Sequence, residues 1–381
     1  MIEGCARAPE MKAKSPTSLI KYFSTLPDPR VARTRKHNLH DMLVIGICGM
    51  LCGAEDWVAI ERFANAKLDW FKTFLDLPGG VPSHDTFGRV FAAIDPESWI
   101  EDVAELTRGE VVAIDGKTIR RSFERASGRA AIHMVSAWAT ENRLVLGQVA
   151  TDDKSNEITA IPRLLELLVL RGAIVTIDAM GCQKEIAQAI RARDAHYVLG
   201  LKGNHPKLHT EVVAYFDQAR KEGFLDAPHG EHVESGRGHG REEERHVWTS
   251  EDLGWMEDRE AWKGLRTVVM VESKRTIGDK TTREQRYYLS SLPAKDARKL
   301  ARAIRGHRAV ENNLHWVLDV GFREDESRVR EGHGAENLST LRRIALNLLK
   351  QDTTTKLGIK NKRLAAGWDE AYLLRLLGIY V

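Results

Sequence analysis

The sequence is poor in everything that would anchor a chain to a membrane or staple it together. It has only four cysteines, Cys5, Cys48, Cys52 and Cys182, in 381 residues. No C-x-x-C pair sets out a zinc site. Cys48 and Cys52 stand four apart inside an apolar run, as core residues on one helical face do in a reducing compartment. The longest apolar stretch, MLVIGICGMLCGA from Met42 to Ala54, is too short and too glycine-rich to span a bilayer, and predicts a buried helix. No charged-then-apolar leader opens the chain, so a cytoplasmic protein with no membrane partner is expected. No G-x-x-x-x-G-K-[ST] run is present to cradle phosphates, which argues against a nucleotide-binding protein. Internal repeats and long low-complexity segments are also missing.

What is present is ordinary in bulk and uneven in detail. Charged residues make up 29% and hydrophobic ones 43%, the balance of a soluble protein with room for two or three structural units. The net charge of +3 hides a gradient: residues 1–40 carry +5, residues 291–381 carry +6, and the 250 residues between them carry −8. Basic ends around an acidic middle suit a chain that grips a polyanion by its ends and does acidic chemistry at its centre. Solvated faces with a chance imbalance would give the same numbers.

Periodicity divides the chain into five segments. Residues 1–105 predict a helical N-terminal domain, in which SLIKYFSTL is amphipathic, helices flank Gly53, and Ser83 or Asp85 caps a helix carrying Phe87, Val90, Phe91 and Ile94. Short helices with basic connections either bind DNA or simply form a subdomain. From 106 to 222 the pattern is three strands (VVAID, AAIHMVSAWAT, RLVLGQVAT), a helix (EITAIPRLLELLVLRG), a strand (AIVTID), a helix and a fifth strand (AHYVLGLK). Residues 223–290 predict a β-rich insertion with strands RHVWTS, LRTVVMVESKRT and REQRYYLSSL, preceded by a flexible GRGHGR turn. Helices return over 291–352, and 353–381 form a basic tail.

Asp115 and Asp178 each close an apolar strand, where aspartate is disfavoured and an unpaired buried charge is costly. The mixed α/β order allows the first and fourth strands to lie side by side and parallel, opening both aspartates on the edge where such sheets bind ligands. Two carboxylates there repel unless a cation lies between them. Mg²⁺ takes one or two carboxylates plus water and phosphate, and a pair of such ions about 4 Å apart cleaves phosphodiesters. A third acid is then wanted, from Glu311, Asp319, Glu324, Asp325 and Glu326. Glu311 is the best placed, with His307 and His315 on its helical face, although an exposed acid on a charged helix explains it too. Lys117 and Arg120 after Asp115, and Lys202 and Asn204 at the fifth strand's end, are candidate phosphate contacts or plain surface polarity. His205 and His209, interrupted by Pro206, make a poor metal pair, and Trp138 and Trp316 are expected in the core.

These residues resemble a known family. VVAIDGKTIR, KSNEITAIPRLLELL, VTIDAMGCQKEIAQAI, YVLGLKGNHPKL, RYYLSSL, RGHRAVENNLHWVLDVGFREDESRVR and NLSTLRRIALNLLK are similar, in order, to bacterial insertion-sequence DDE transposases, in the branch that includes the H-repeat-associated proteins. The resemblance covers about residues 20 to 375. It implies an RNase H-like core interrupted by a β-rich insertion, and metal-dependent cleavage and strand transfer of double-stranded DNA. The implied triad is Asp115, Asp178 and Glu311, holding two Mg²⁺ or Mn²⁺ ions. It further implies a homodimer or larger multimer on DNA, in the bacterial cytoplasm at the nucleoid. The chain departs from relatives that surround the glutamate with tyrosine, arginine and lysine, because Ile304, His307 and Leu318 stand at those intervals. Arg308 stands where this branch usually has tryptophan. Phosphate contacts are therefore assigned to His307, Arg308 and Lys117. A nuclease without strand transfer, or a domesticated or defective DNA-binding relative, are the alternatives.

Overall fold

The strand that carries Asp115 is an interior one, third from an edge of a nine-stranded sheet, and helices pack on both faces around it. The computed structural model describes residues 26–99, 109–123, 130–151, 156–224, 227–238 and 240–378. Cys5, most of SLIKYFSTL and the histidine of GRGHGR lie outside the described residues. The chain divides into two units, residues 1–94 with 344–381, and residues 95–343.

The described N-terminal part is helical, as expected. Helix α1 (Leu39–Leu51) contains the longest apolar run and is buried almost all round. Gly53 follows at φ +101°, a left-handed turn that suits glycine. Helix α2 (Trp57–Ala66) starts at Asp56, whose carboxylate accepts from the Ala59 N–H at 2.8 Å. Helix α3 (His84–Ala93) is capped by Ser83 rather than Asp85. Trp57 packs on Phe91, with ring centres 4.7 Å apart.

The second unit is built on the sheet. Strands β1 (Val111–Thr118), β2 (His133–Ala139) and β3 (Leu144–Ala150) form an antiparallel meander. Helix α4 (Glu157–Glu166) leads to β4 (Ile174–Ile177), which lies parallel to β1. It stops at Glu166 instead of running to Gly172. Helix α5 (Lys184–Arg191) and strand β5 (His196–Leu201) follow, with β5 parallel to β4. The order β3-β2-β1-β4-β5 is an RNase H-like mixed sheet.

Helix α6 (Pro206–Glu222) then precedes four long strands, β6 (His229–Gly238), β7 (Arg241–Ser250), β8 (Thr267–Ile277) and β9 (Lys280–Ser290). The glycine-rich segment expected as a flexible turn is partly strand β6, because cross-strand pairing with β7 from His229↔Ser250 to Gly238↔Arg241 overrides its weak propensity. The β-rich segment does not form a sheet of its own. Strand β9 pairs antiparallel with β5, so the core sheet runs on without a break into it.

Helix α7 (Ala297–Val310) crosses one face of the sheet and packs Leu300, Ala301 and Ile304 on Val111, Ile174 and Val198. The opposite face is covered by α4, α5 and α6 over Val112, Ile114, Val175 and Ile177. After α7 come one π-helical turn (Glu311–His315), helix α8 (Trp316–Phe322) and helix α9 (Gly334–Gln351). The last segment, expected as a basic tail, is helical. It forms α10 (Ile359–Trp368) and α11 (Glu370–Leu377). In the first unit Arg363, 4% exposed, donates through Nε to the Met50 carbonyl at 2.9 Å, satisfying an acceptor at the end of α1. Lys362 donates to the Leu349 carbonyl at 2.8 Å.

Beneath α8 lies a buried ion cluster. Glu324, 0% exposed, accepts from Ser339 and Arg343, each at 2.8 Å. Burial pushes its pKa up, but Arg343, Arg342 and Lys117 outweigh burial and hold it at about 2. A carboxyl lowered in the folded state stabilises it above the unfolded value, near 4.5, and that contribution fades as pH falls towards 2. The shift corresponds to about 3 kcal/mol. Replacing one member of such a pair leaves the other charge uncompensated, at about 3–5 kcal/mol. Glu324→Gln is therefore expected to melt several degrees below wild type at pH 7, with the gap narrowing near pH 3. Calorimetric melting at the two pH values checks both; equal melting at pH 7 would contradict this account of the cluster.

Candidate active site

Strand parity decides which side chains meet. Successive residues of a strand point to opposite faces, so Val111, Ala113, Asp115 and Lys117 share a face, and Ile174, Thr176 and Asp178 share the same one. That is the α7 face, because Val111 and Ile174 are the residues α7 covers. Ile114 pairs with Ile177 at the end of the β1–β4 ladder, which brings Asp115 and Asp178 next in step. On β5, Gly200 leaves room for the turn after β4: a Cβ there would stand 3.2 Å from the Ala179 nitrogen and 3.3 Å from the Asp178 carbonyl carbon.

Glu311 begins the π turn at the end of α7 and is exposed. π turns inside α-helices recur at functional sites. Among the described residues Glu311 makes no ion pair, and its charge is felt at Asp115. The half-buried Asp115 has a pKa raised to about 7, by burial first, then by Glu157, with Asp178 and Glu311 adding to it; the Gly116 N–H opposes. Three like charges facing one buried carboxylate is the donor chemistry of a hard divalent cation, so Asp115, Asp178 and Glu311 fit such an ion. The fit is one of chemistry and direction. Among the described residues no group of three His, Cys, Asp or Glu side chains is yet drawn tightly enough to hold a metal ion.

The other acids weighed for the third position are committed elsewhere. Asp319 and Asp325 hold the Lys117 ammonium at 2.8 and 2.7 Å, Glu324 is paired with Arg343, and Glu326 with Arg323. Lys117 itself is 8% exposed and turned into that cluster, not towards solvent. This departs from the phosphate contact expected of it, and the cause is the acidic loop after α8. Arg120 is largely exposed and reaches Asp325 at 3.1 Å. Asn204 donates to the Ala179 carbonyl at 2.5 Å and accepts from the Lys202 N–H at 3.3 Å, tying the loop after β5 to the one after Asp178. Lys202 is exposed beside it. His307 meets Thr176 Oγ1 at 3.1 Å through Nδ1; burial lowers its pKa while Asp178 pulls it up. Arg308 lines a cavity that also contains Asp178 and Lys202.

Several neighbours escaped the sequence reading. Glu157, at the start of α4, sits against β1: a Cβ on Gly116 would fall 2.1 Å from its Oε1. Its Oε1 is 2.7 Å from His133 Nε2, and His133 Nδ1 is 2.8 Å from Thr118 Oγ1. The glycine after Asp115 was the available signal. His315 Nδ1 stands 3.7 Å from Asp115 Oδ2, and burial, with Arg343 and Lys117 nearby, brings its pKa down to about 4. Arg286 and Tyr288 of β9 line the Asp178 cavity, a placement that strand alternation in REQRYYLSSL foreshadows. Trp138 is fully buried as expected, whereas Trp316 is 59% exposed. The reason is angular: Leu314 and Leu318 face the core, and a residue two places on from Leu314 turns about 200° away.

Comparison with known proteins identifies the family. Residues 20–107 match the family described as DDE_Tnp_1-associated, and residues 107–348 match the one described as Transposase DDE domain. The chain is 41% identical over 376 residues to "Putative transposase YncI" of Escherichia coli O157:H7, covering 94% of each chain. It is 39% identical over 371 residues to "H repeat-associated putative transposase YhhI" of Escherichia coli strain K12, covering 94% of this chain and 97% of that one. Among solved structures it is similar to the piggyBac transposase synaptic complex with hairpin DNA, at 9% identity and a TM-score of 0.45 over 95% of this chain and 81% of that one. With the family match spanning more than half the sequence and the relatives nearly all of it, the chain belongs to the DDE-domain transposases.

Proposed function

We propose that this chain cuts DNA at the ends of an insertion sequence and joins the freed 3′-hydroxyl to target DNA, with Asp115, Asp178 and Glu311 as ligands for two divalent ions, Mg²⁺ or Mn²⁺. One observation carries the reading: two aspartates end neighbouring parallel strands on the face crossed by α7, and Asp115 is raised to about 7 by burial and like-charged neighbours. That edge is where open α/β sheets bind ligands. When bound, the ions would neutralise the phosphate and make the attacking hydroxyl more acidic.

The protein's own contribution is to position groups. The β1–β4 ladder fixes the two aspartates, while Thr176 fixes His307 behind Asp178. In cleavage, a water oxygen bonds to phosphorus as the bond to the 3′-oxygen breaks. The water's proton leaves to solvent and the 3′-oxygen gains one. In transfer, the 3′-hydroxyl oxygen bonds to a target phosphorus and displaces another 3′-oxygen, exchanging one phosphodiester for another without an outside energy source. Arg120, Lys202 and Arg308 bear on the phosphates, and Asn204 holds the loop that carries Lys202. Lys117 is reassigned to positioning, as the cation that gathers Asp319 and Asp325 beside the site. The active form is a dimer or larger multimer on DNA.

Asp178→Asn keeps shape and removes charge. With Mg²⁺ and a plasmid carrying the element's ends, its nicking rate is expected to fall about a thousandfold, matching several kcal/mol of lost charge stabilisation. Melting temperature and DNA retention in EDTA should stay as in wild type. Nicking at the wild-type rate would remove Asp178 from the triad. Metal binding offers a readout that needs no DNA: Mn²⁺ titrated into the free protein should release heat that Asp115→Asn and Glu311→Gln each diminish. Identical titrations for wild type and both variants would count against these carboxylates as ligands.

A further inference from the structure

On the β5 side of Asp178 the sheet and α7 enclose a cavity of about 320 Å³, and its walls hold an excess of positive charge. At roughly 30 Å³ per water that is room for about ten waters, more than a buried ion pair requires. Its placement comes from register. Gly200 pairs with Tyr288 and Leu201 with Tyr287, so Lys202 comes opposite Arg286. Tyr288 packs on the α7 side, and alternation sends Arg286 and Glu284 to that side as well. Arg308 reaches the same space from the end of α7.

Its walls carry three cations and two carboxylates, Asp178 and Glu284, and it is Glu284 that the two arginines pair with. Arg286 Nε stands 2.7 Å from Glu284 Oε1, and Arg308 Nη2 3.7 Å from Oε2. The hydrogen bond from Arg286 holds Glu284 below the ordinary carboxylate range, with Arg308 and Lys202 assisting against burial. Arg308 is left short: its Nε is buried without a hydrogen-bond partner among the described residues. A buried guanidinium N–H with nothing to donate to costs free energy until an acceptor arrives.

We propose that this cavity is an oxyanion site for a DNA phosphate next to the one being cut, and that Glu284 fills it in the free protein as an internal stand-in. Arginine forks match phosphate oxygens two at a time, which a single carboxylate 3.7 Å from Arg308 does not achieve. Glu284 is 55% exposed, so its side chain can swing into water when phosphate enters. One anion then replaces another, and the guanidiniums are never left bare. The β-rich segment thereby acquires a role at the site, since Glu284, Arg286 and Tyr288 all lie on its last strand.

The inference rests on the DNA-processing reading above, but its test is separable because it uses binding without metal. A labelled non-specific 40-base-pair duplex is titrated with the full chain in EDTA over a range of salt. Glu284→Gln should bind about three- to tenfold tighter than wild type. Arg286→Gln should bind more weakly, with a salt slope lower by about 1. Should either strand variant melt well below wild type, Lys202→Gln, at an exposed loop position, carries the same expectation as Arg286→Gln, and Glu284→Asp, with a shorter reach, that of Glu284→Gln. Glu284 substitutions that bind no tighter than wild type, or cation substitutions that leave affinity and slope unchanged, overturn the proposal. Failure of the parent reading would show differently, as equal Mg²⁺-dependent nicking by wild type and Asp178→Asn while these binding shifts persist.

Discussion

Carboxylates crowd one edge of the sheet, where burial and like charge together act on Asp115. Asp115 and Asp178 sit one step beyond the last pair of a parallel ladder, so neither can move away without breaking strand order. Glu157 and Glu311 approach Asp115 from two different helices, and its pKa of about 7 reflects burial first and then these like charges, with Asp178 among them. Such a cluster persists only in a stiff frame. The frame is a sheet buried on both faces, with Trp138, Ile174 and Val175 fully covered. Close-packed interiors of this kind do not relax to relieve a local repulsion. The strain is available to whatever cation or proton enters.

Burial and pairing sort the chain's cations by what they are free to do. Lys117 has three carboxylates within 4 Å and is almost completely buried, so its charge is spent inside the fold. Arg363 and Lys362 are likewise used up on backbone carbonyls. Arg286, Arg308 and Lys202 share one half-exposed glutamate between them. Net charge along the sequence cannot separate these groups, because a lysine neutralised by an acid two hundred residues away counts the same as one facing solvent. Two cations of the basic C-terminal segment, Lys362 and Arg363, are therefore spent inside the fold.

Much of the fold was legible because the physics that made it is local. Apolar runs bounded by turn residues marked all five core strands, and an aspartate at the end of two of them marked the candidate site. What was not legible depended on partners distant in sequence. Strand β6 has glycines and charges in place of a hydrophobic alternation, and is a strand because β7 pairs along its whole length. Continuity of the sheet through β5 and β9 is set by tertiary pairing of Val198–Leu201 with Tyr287–Ser290, which no local pattern announces. Glu157 looked like the first residue of a helix, and is that; only the folded chain brings its carboxylate against Gly116. Trp316 is the exception, since the spacing of Leu314 and Leu318 already turned it outward.

Glu311, the proposed third acid, comes to this edge from a helix, at the start of the π turn Glu311–His315. A strand end offers one carboxylate per ladder step, and both steps at this edge are taken. A regular α-helix crossing the face would present His307, Glu311 and His315 in a single row at intervals of four. The wider π turn offsets the residues beyond it, so Leu314 and Leu318 remain in the core while His315 is drawn to 3.7 Å from Asp115. Burial first, then Arg343 and Lys117, holds His315 neutral near pH 7, with its pKa at about 4. A neutral imidazole beside Asp115 adds no positive charge to compete with an incoming cation. The cationic groups are kept one layer away on the Lys117 side or across Asp178 on the β9 side, and this separation leaves the carboxylates facing one another with their charge uncancelled.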